Sequence, residues 1–570
     1  MKATLKWFTI CLLFLLSLTA CTPPAETVAV TRPVVVTDVA TAVSPTSTAT
    51  SSPTQTTVAS PVATLTPLPI PTEPPTPTPP PAISPEELAR RVEEGLTWTA
   101  VSNMDGFPLW QLSGFEYGFR YEPYGYCEFG PYRWLTDDQL LLFPIVDHTT
   151  WFENPTGGKV TQSVVFNAAD GTAWLPDAPR TDVCDLPVWS AARQQLIEAS
   201  DGEVRLRDLA GNVVATYPGT MPLFIAPSGQ RLLAGQTWID LINGELVELD
   251  DWQRVKFPRP AWSSDETKIF ECCFSYVNVA TGEQWTRADF PGFWVSGVGV
   301  GPGYYGSEGR WLAGDTQIIV HPNAVYFQSE GARPVLPLFE PESETYVNII
   351  EPLDLPETIV DCGVFIAPSG NHLWLTCAEY VDEVYNQFAD PSYLITLPTL
   401  EIWPMEGNLR FRGWSADGRF YSYDEITDLT TNEGVTWLAQ VNGNQWQIAA
   451  DPLANEPLER QYWHPTQPLA LMQSGRSNRL LLIDTTSTTR QLDFPYALAD
   501  AAWQPNGDGI VLLTTDNALF WLDDPFAPDS QPQRITPDLA EINSVRWSPN
   551  GHNLAFVSEN NFYLLDMANK

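Results

Sequence analysis

The side chains whose chemistry extends beyond packing are eight cysteines, five histidines and 69 carboxylates. His148, His321, His372, His464 and His552 are scattered with no metal-ligand spacing, and His372 and His552 fall just after hairpin turns. There is no phosphate-loop lysine, no His-Glu-x-x-His and no Gly-x-Ser-x-Gly elbow. Gly301, Gly303 and Gly306 match a dinucleotide pattern, but no helix periodicity follows, so the segment reads as a loop. No Asp-x-Asp-x-Asp-Gly loop for calcium and no Ser-x-Asp-x-Gly-x-Thr-Trp box is found. Carboxylates are abundant enough that a paired-acid site of the glycosidase type stays open. The sequence names no catalytic residue, no metal ligand and no cofactor.

The cysteines are more informative. Cys362 and Cys377 lie symmetrically about the turn formed by Pro368, Ser369, Gly370 and Asn371. In an unbulged hairpin they face each other with Cα atoms about 4.5–5.5 Å apart, within disulfide range, so a bridge is predicted; a one-residue bulge would spoil it. Cys127 and Cys184, and the adjacent Cys272 and Cys273, leave their pairing open; the adjacent two point to opposite faces of a strand. An even number of cysteines beyond Cys11 and Cys21 fits an oxidising compartment.

The elements that carry these residues are hairpins. An aromatic or Ile ends one short strand, a four-residue turn follows, and a second apolar run returns. The last copy reads Trp547, Ser548, Pro549, Asn550, Gly551 and then Leu554, Ala555, Phe556, Val557. Pro fixes φ, Asn tolerates the left-handed region and Gly takes positive φ at no steric cost. The unit recurs with anchors at Trp134, Trp189, Ile225, Trp262, Ile366, Trp414, Trp463, Trp503 and Trp547, in steps of 55, 36, 37, 104, 48, 49, 40 and 44 residues. The long step hides a tenth unit around 294–336. A lone hairpin cannot bury its apolar face, so copies must stack; a period in the forties with about four strands is that of a propeller blade. The expected fold is all-β: a large β-propeller of about 8–10 four-stranded blades over residues 96–570. One ring is favoured over two rings split at 340–357.

Ahead of the repeats, residues 21–83 hold 15 Pro and 16 Thr with almost no large aromatics, so little can be buried and a disordered stalk is expected. About 62 such residues span roughly 45 Å as a coil and up to about 190 Å as polyproline-type chain. Residues 84–95 read as a short helix, with Ser84 as N-cap, Pro85 in the first turn, Glu87 completing a capping box, Gly95 as terminator, and Leu88 and Val92 on the packed face. The last repeat stops after a third strand, so a strand near 96–101 or 107–112 must close the ring. The aromatic-rich stretch up to Tyr132 is read as a covering loop, with a sugar or peptide platform as the alternative.

Two resemblances add to this reading. Lys2 and Lys6 precede an apolar run over 7–18 too short to span a bilayer, and Leu18, Thr19, Ala20 and Cys21 follow. This resembles the signal and lipobox of bacterial lipoproteins. It implies a signal peptide over 1–20, diacylglyceryl attachment at Cys21 and an extracytoplasmic, membrane-tethered location. Trp547-Ser-Pro-Asn-Gly, Trp503-Gln-Pro-Asn-Gly and Trp414-Ser-Ala-Asp-Gly, with turns at 279–285 and 240–246, resemble the bacterial WD-repeat-like propellers of the TolB type. That resemblance covers roughly 130–570 and implies a propeller with an interaction role.

The formal charge of −39 disfavours nucleic acid as a partner. The expected function is therefore a monomeric, non-enzymatic binding or scaffold module for protein, peptide or glycan at the cell envelope. The alternative is a surface hydrolase with a carboxylate site in the propeller channel.

Overall fold

The computed structural model describes residues 84–570 except 105, 113–130, 148–159, 178–186, 250–260, 272–274, 286–306, 313, 323–335, 344, 354, 356–358, 382–383, 398, 429–432, 444, 448–457, 475–478, 485–488, 560 and 569–570. The expected signal peptide, stalk and lipidated Cys21, together with Cys127, Cys184, Cys272 and Cys273, lie outside the described residues.

Ten antiparallel blade sheets follow one another along the chain, and a small two-stranded sheet, Ile145–Asp147 with Val160–Thr161, lies within the span of the first. Blades 1 to 9 span 132–174, 188–218, 223–248, 261–285, 307–348, 359–405, 409–447, 458–492 and 498–534, each with four strands. Blade 10 takes three strands from 543–566 and its fourth from the other end of the chain. That fourth strand, β2 (Phe107–Leu112), pairs Leu109 with Leu565 and Leu112 with Phe562. A preceding strand, β1 (Trp98–Met104), adds a fifth to the same sheet. Closure thus comes from the second of the two expected segments, and the first covers its edge.

Hydrophobic burial explains why the sheets form one wheel. The ten buried apolar clusters fall one to each junction between neighbouring blades. Blades 5 and 6 share Leu312, Ile319, Leu338, Ile350, Val364 and Leu375, which crosses the 340–357 stretch where two rings would have parted. Blades 10 and 1 share Ala555, Phe562, Leu140 and Phe166, and blades 9 and 10 share Val511, Leu519, Phe107 and Phe556. Among the described residues no blade has a core of its own; each face is buried only because its neighbour is present.

The helix α1 (Pro85–Glu94) forms as its caps dictate. Ser84 Oγ accepts from Glu87 N at 3.2 Å, and Gly95 ends it at φ 87°. Leu88 and Val92 enter the cluster between blades 10 and 1, which places the helix on the closing seam. The Glu87 carboxylate bonds Arg90 and Arg91, which lowers its pKa to about 2.

The anchors have a shared task. First strands of neighbouring blades lie beside one another, so they are innermost. From the ends of five of them, the indole N–H reaches back to the preceding blade. Trp547 Nε1 donates to Ala502 O (3.0 Å), Trp503 to Tyr462 O (3.0 Å), Trp414 to Phe365 O (2.9 Å), Trp311 to Ala261 O (3.0 Å) and Trp134 to Arg546 O (3.3 Å). In every case the acceptor is the residue just before the previous anchor. Trp311 is the anchor of the unit hidden in the long step.

Candidate binding face and channel

The first turn of each blade is a small hydrogen-bonded device. In blade 10, Ser548 N donates to Asn553 O (2.8 Å), Asn553 N to Ser548 Oγ (2.9 Å) and Gly551 N to Ser548 O (2.9 Å), with Gly551 at φ 73°. Blade 7 repeats it with Ser415, Phe420 and Gly418. The turns then touch their neighbours around one face. Asn550 N donates to Asp137 Oδ1 (2.9 Å), Ser190 Oγ to Gly229 O (2.9 Å), Ser264 N to Asp315 Oδ2 (2.7 Å) and Gln504 Nε2 to Gly551 O (2.8 Å). Several of the chain's carboxylates are engaged here. Ser263, Thr267 and Lys268 outweigh desolvation and hold the Asp265 carboxyl below its usual range; Ser415 and Arg419 do the same for Asp417.

His464 belongs to this scheme. It stands where other turns have Ser, and its Nδ1 accepts from Thr466 N (3.1 Å) and Gln467 N (2.9 Å). Nδ1 is therefore unprotonated and Nε2 carries the hydrogen, donating to Gly507 O at 3.1 Å. Burial pushes the imidazole pKa down, against the opposing pull of the Gly507 bond and Asp508. The sequence left this histidine without a role; the structure makes it a turn cap. Burial lowers the pKa of His372 as well.

A cavity of about 840 Å³ opens beside His464, where blades 8, 9 and 10 meet. Gln504, Asp508, Asp523 and Asp524 give it polar walls, Trp521 and Phe526 an apolar one, and His552 and Met567 close the blade 10 side. Arg490 donates to the carbonyls of Pro525, Pro528 and Ser530, which fixes the loop forming the rim. Asp508 accepts from Asn506 Nδ2 at 2.7 Å. Among the described residues no group of three His, Cys, Asp or Glu is placed to hold a metal ion, and no helix is long and apolar enough to cross a membrane.

The innermost strands carry a different charge from the rest of the chain. Arg133, Arg310, Arg410, Arg412, Arg460 and Arg546 lie on them, against Glu308, Asp361, Glu459 and Asp500. The chain as a whole has 30 basic to 69 acidic side chains. Arg410 and Arg412 both bind the buried Asp424 carboxylate (2.6 Å each), which also accepts from Thr436 Oγ1 at 2.7 Å. The pattern was readable in Arg133-Trp134, Arg310-Trp311 and Arg546-Trp547, where Arg directly precedes an anchor, but a search tuned to apolar spacing passes over it.

Cys362 and Cys377 are directly paired in register and bonded, with Cα atoms 4.0 Å apart. The register shift in that hairpin falls between Ile359 and Asp361, clear of the two cysteines. Both are buried in the cluster between blades 5 and 6.

No protein-family model matches the chain, and no curated protein matches it. Among solved structures, a eukaryotic initiation factor is similar at 11% identity over 76% of this chain and 94% of that one, with a TM-score of 0.41. The Dos1 propeller is similar at 10% identity over 75% and 90%, TM-score 0.32. A streptogramin B lyase is similar at 13% identity over 54% and 92%, TM-score 0.27. At such values these likenesses carry no functional argument.

Proposed function

We propose that this protein is a lipid-anchored extracytoplasmic β-propeller that acts as a non-enzymatic binding or scaffold module for a protein, peptide or glycan at the cell envelope. The observation that carries the reading is the turn face. Loops from successive blades meet there, and three blades enclose a cavity of about 840 Å³ with mixed polar and aromatic walls. Such concave, partly apolar junctions of rigidly held loops are default binding sites. The tether at Cys21 is supported by the sequence pattern, and the Cys362–Cys377 disulfide is in keeping with an oxidising compartment.

Two measurements test it. Cell fractionation should find the wild type in the membrane fraction and Cys21→Ser released from it; a variant that stays membrane-bound removes the tether. Affinity capture with the full-length chain should retain a defined envelope protein or glycan, and Trp521→Ala with Phe526→Ala should weaken that capture. The surface-hydrolase alternative draws on Asp508, Asp523 and Asp524 sharing one cavity. It requires turnover of a polysaccharide or peptide that is abolished by Asp508→Asn or Asp524→Asn.

A further inference from the structure

We infer that the cavity where blades 8, 9 and 10 meet takes a basic segment of a polypeptide partner, with an arginine or lysine side chain seated among Asp508, Asp523 and Asp524. The inference rests on the reading of the head as a binding module and names the ligand chemistry of its cavity.

The first observation is how the fold collects acids in the cavity wall. Asp508 lies in the first turn of blade 9, and Asp523 ends the third strand of that blade, Leu519–Asp523. Gly509 pairs with Asp523 in register, and Asp524 N donates to Asp508 O at 3.0 Å. Carboxylates from two stretches of chain thus line one space, and all three residues are exposed. Like charges set side by side destabilise a sheet, and a cation bound between them reverses the sign of that contribution.

The second observation is what the walls leave to a ligand. Gln504 Nε2 donates to Gly551 O, Asn506 Nδ2 to Asp508 and His464 Nε2 to Gly507 O. Arg490 turns its guanidinium to the carbonyls of Pro525, Pro528 and Ser530. These donors are committed inside the protein. By contrast, among the described residues the carboxylates of Asp523 and Asp524 have neither a hydrogen bond nor an ion pair. The balance leans to acceptors, so it selects a ligand rich in donors and poor in acceptors. A guanidinium offers five N–H groups and an ammonium three, and neither accepts; each sugar hydroxyl brings two lone pairs with its one donor.

The third observation is the remaining lining. Trp521 and Phe526 add aromatic surface, which attracts organic cations. Gly509 gives the indole its place, since a Cβ there would stand 2.0 Å from Trp521 Cη2. The three acids face one guanidinium, that of Arg490, which leaves the walls with a formal excess of negative charge. The volume of about 840 Å³ exceeds what one side chain fills and suits a peptide of several residues. At long range, the formal charge of −39 draws basic partners toward the head.

Isothermal titration of the full-length chain at about 0.15 M salt, where distant charges are screened, compares a short oligoarginine peptide, a short oligoglutamate and a short chitin oligosaccharide. Oligoarginine alone should bind. Asp523→Asn with Asp524→Asn should weaken it at least tenfold; Asn keeps the shape and tolerates the φ of 36° at 524. Glu401→Gln, exposed on the outer strand of blade 6, should leave binding unchanged, which separates the cavity from general attraction to an acidic surface. Asp523→Asn alone should weaken binding at least threefold and decides the matter where the double variant does not fold. No binding of oligoarginine, binding indifferent to the Asp523 and Asp524 pair, or preference for the oligosaccharide overturns the inference. Capture of an envelope partner that survives the Asp523 and Asp524 changes would remove this inference and leave the binding-module reading standing.

Discussion

Replacing Gly507 by Ala puts the turn architecture to a quantitative test. Gly507 sits at φ 83°, and a Cβ there would stand 1.9 Å from His464 Nε2 and 2.1 Å from Cε1. The imidazole is the cap of its own turn, so it cannot yield without losing the bonds from Thr466 N and Gln467 N and its own bond to Gly507 O. The left-handed backbone costs Ala about 1 kcal/mol. Loss of two or three hydrogen bonds at about 1 kcal/mol each adds about 2–3 kcal/mol, for a total of about 3–4 kcal/mol. Gly443→Ala is the control, because Gly443 has φ 93° and nothing within 4 Å of the added methyl. It should cost only the backbone share, about 1 kcal/mol. Native-state hydrogen exchange on the two turns reads both: about a hundredfold faster exchange or more around 464–469 and 504–509 in Gly507→Ala, and about fivefold around 440–443 in the control. In a His464→Ala background, Gly507→Ala should fall to the level of the control. Equal costs for Gly507→Ala and Gly443→Ala would refute the reasoning.

Two further expectations follow from the same geometry. Replacing both Cys362 and Cys377 by Ala opens a loop of 15 residues and should lower stability by about 3 kcal/mol, seen as an earlier urea midpoint; the difference should vanish when the wild type is measured reduced. His464 binds its proton less readily folded than unfolded, so its contribution is whole above the unfolded pKa of 6.5 and is lost as pH falls from there through the lowered folded value. His464→Ser, which supplies the cap found at Ser263, Ser415 and Ser548, should flatten the decline between pH 7 and pH 5 in a thermal-melt series; an unchanged slope counts against the assignment.

Much of the wheel was legible because its units are local. Trp or Ile, a four-residue turn and an apolar return occupy about a dozen consecutive residues, and nine anchors could be placed from that alone. Trp311 escaped because Leu312 and Ala313 follow it where most other units have Ser at the first position or Pro at the second, so its turn carries no familiar sequence. Ring closure was foreseen from a strand deficit. The cavity was not, since its walls come from three units and no single stretch records their meeting. The arginines of the first strands were written beside the anchors, yet only the fold shows those strands to be innermost.

The seam between the ends of the chain also dictates an order of assembly. Tyr132 Oη donates to Ala555 O across 423 residues, and β2 pairs with the strand Asn561–Asp566. During synthesis the earlier blades can stack as they emerge, but β2 has β1 on one side alone, and its other edge stays unpaired until the strand Asn561–Asp566 has been made. A chain truncated before residue 561 would be an open arc with two bare edges, prone to pair with a second arc, whereas one released whole closes on itself.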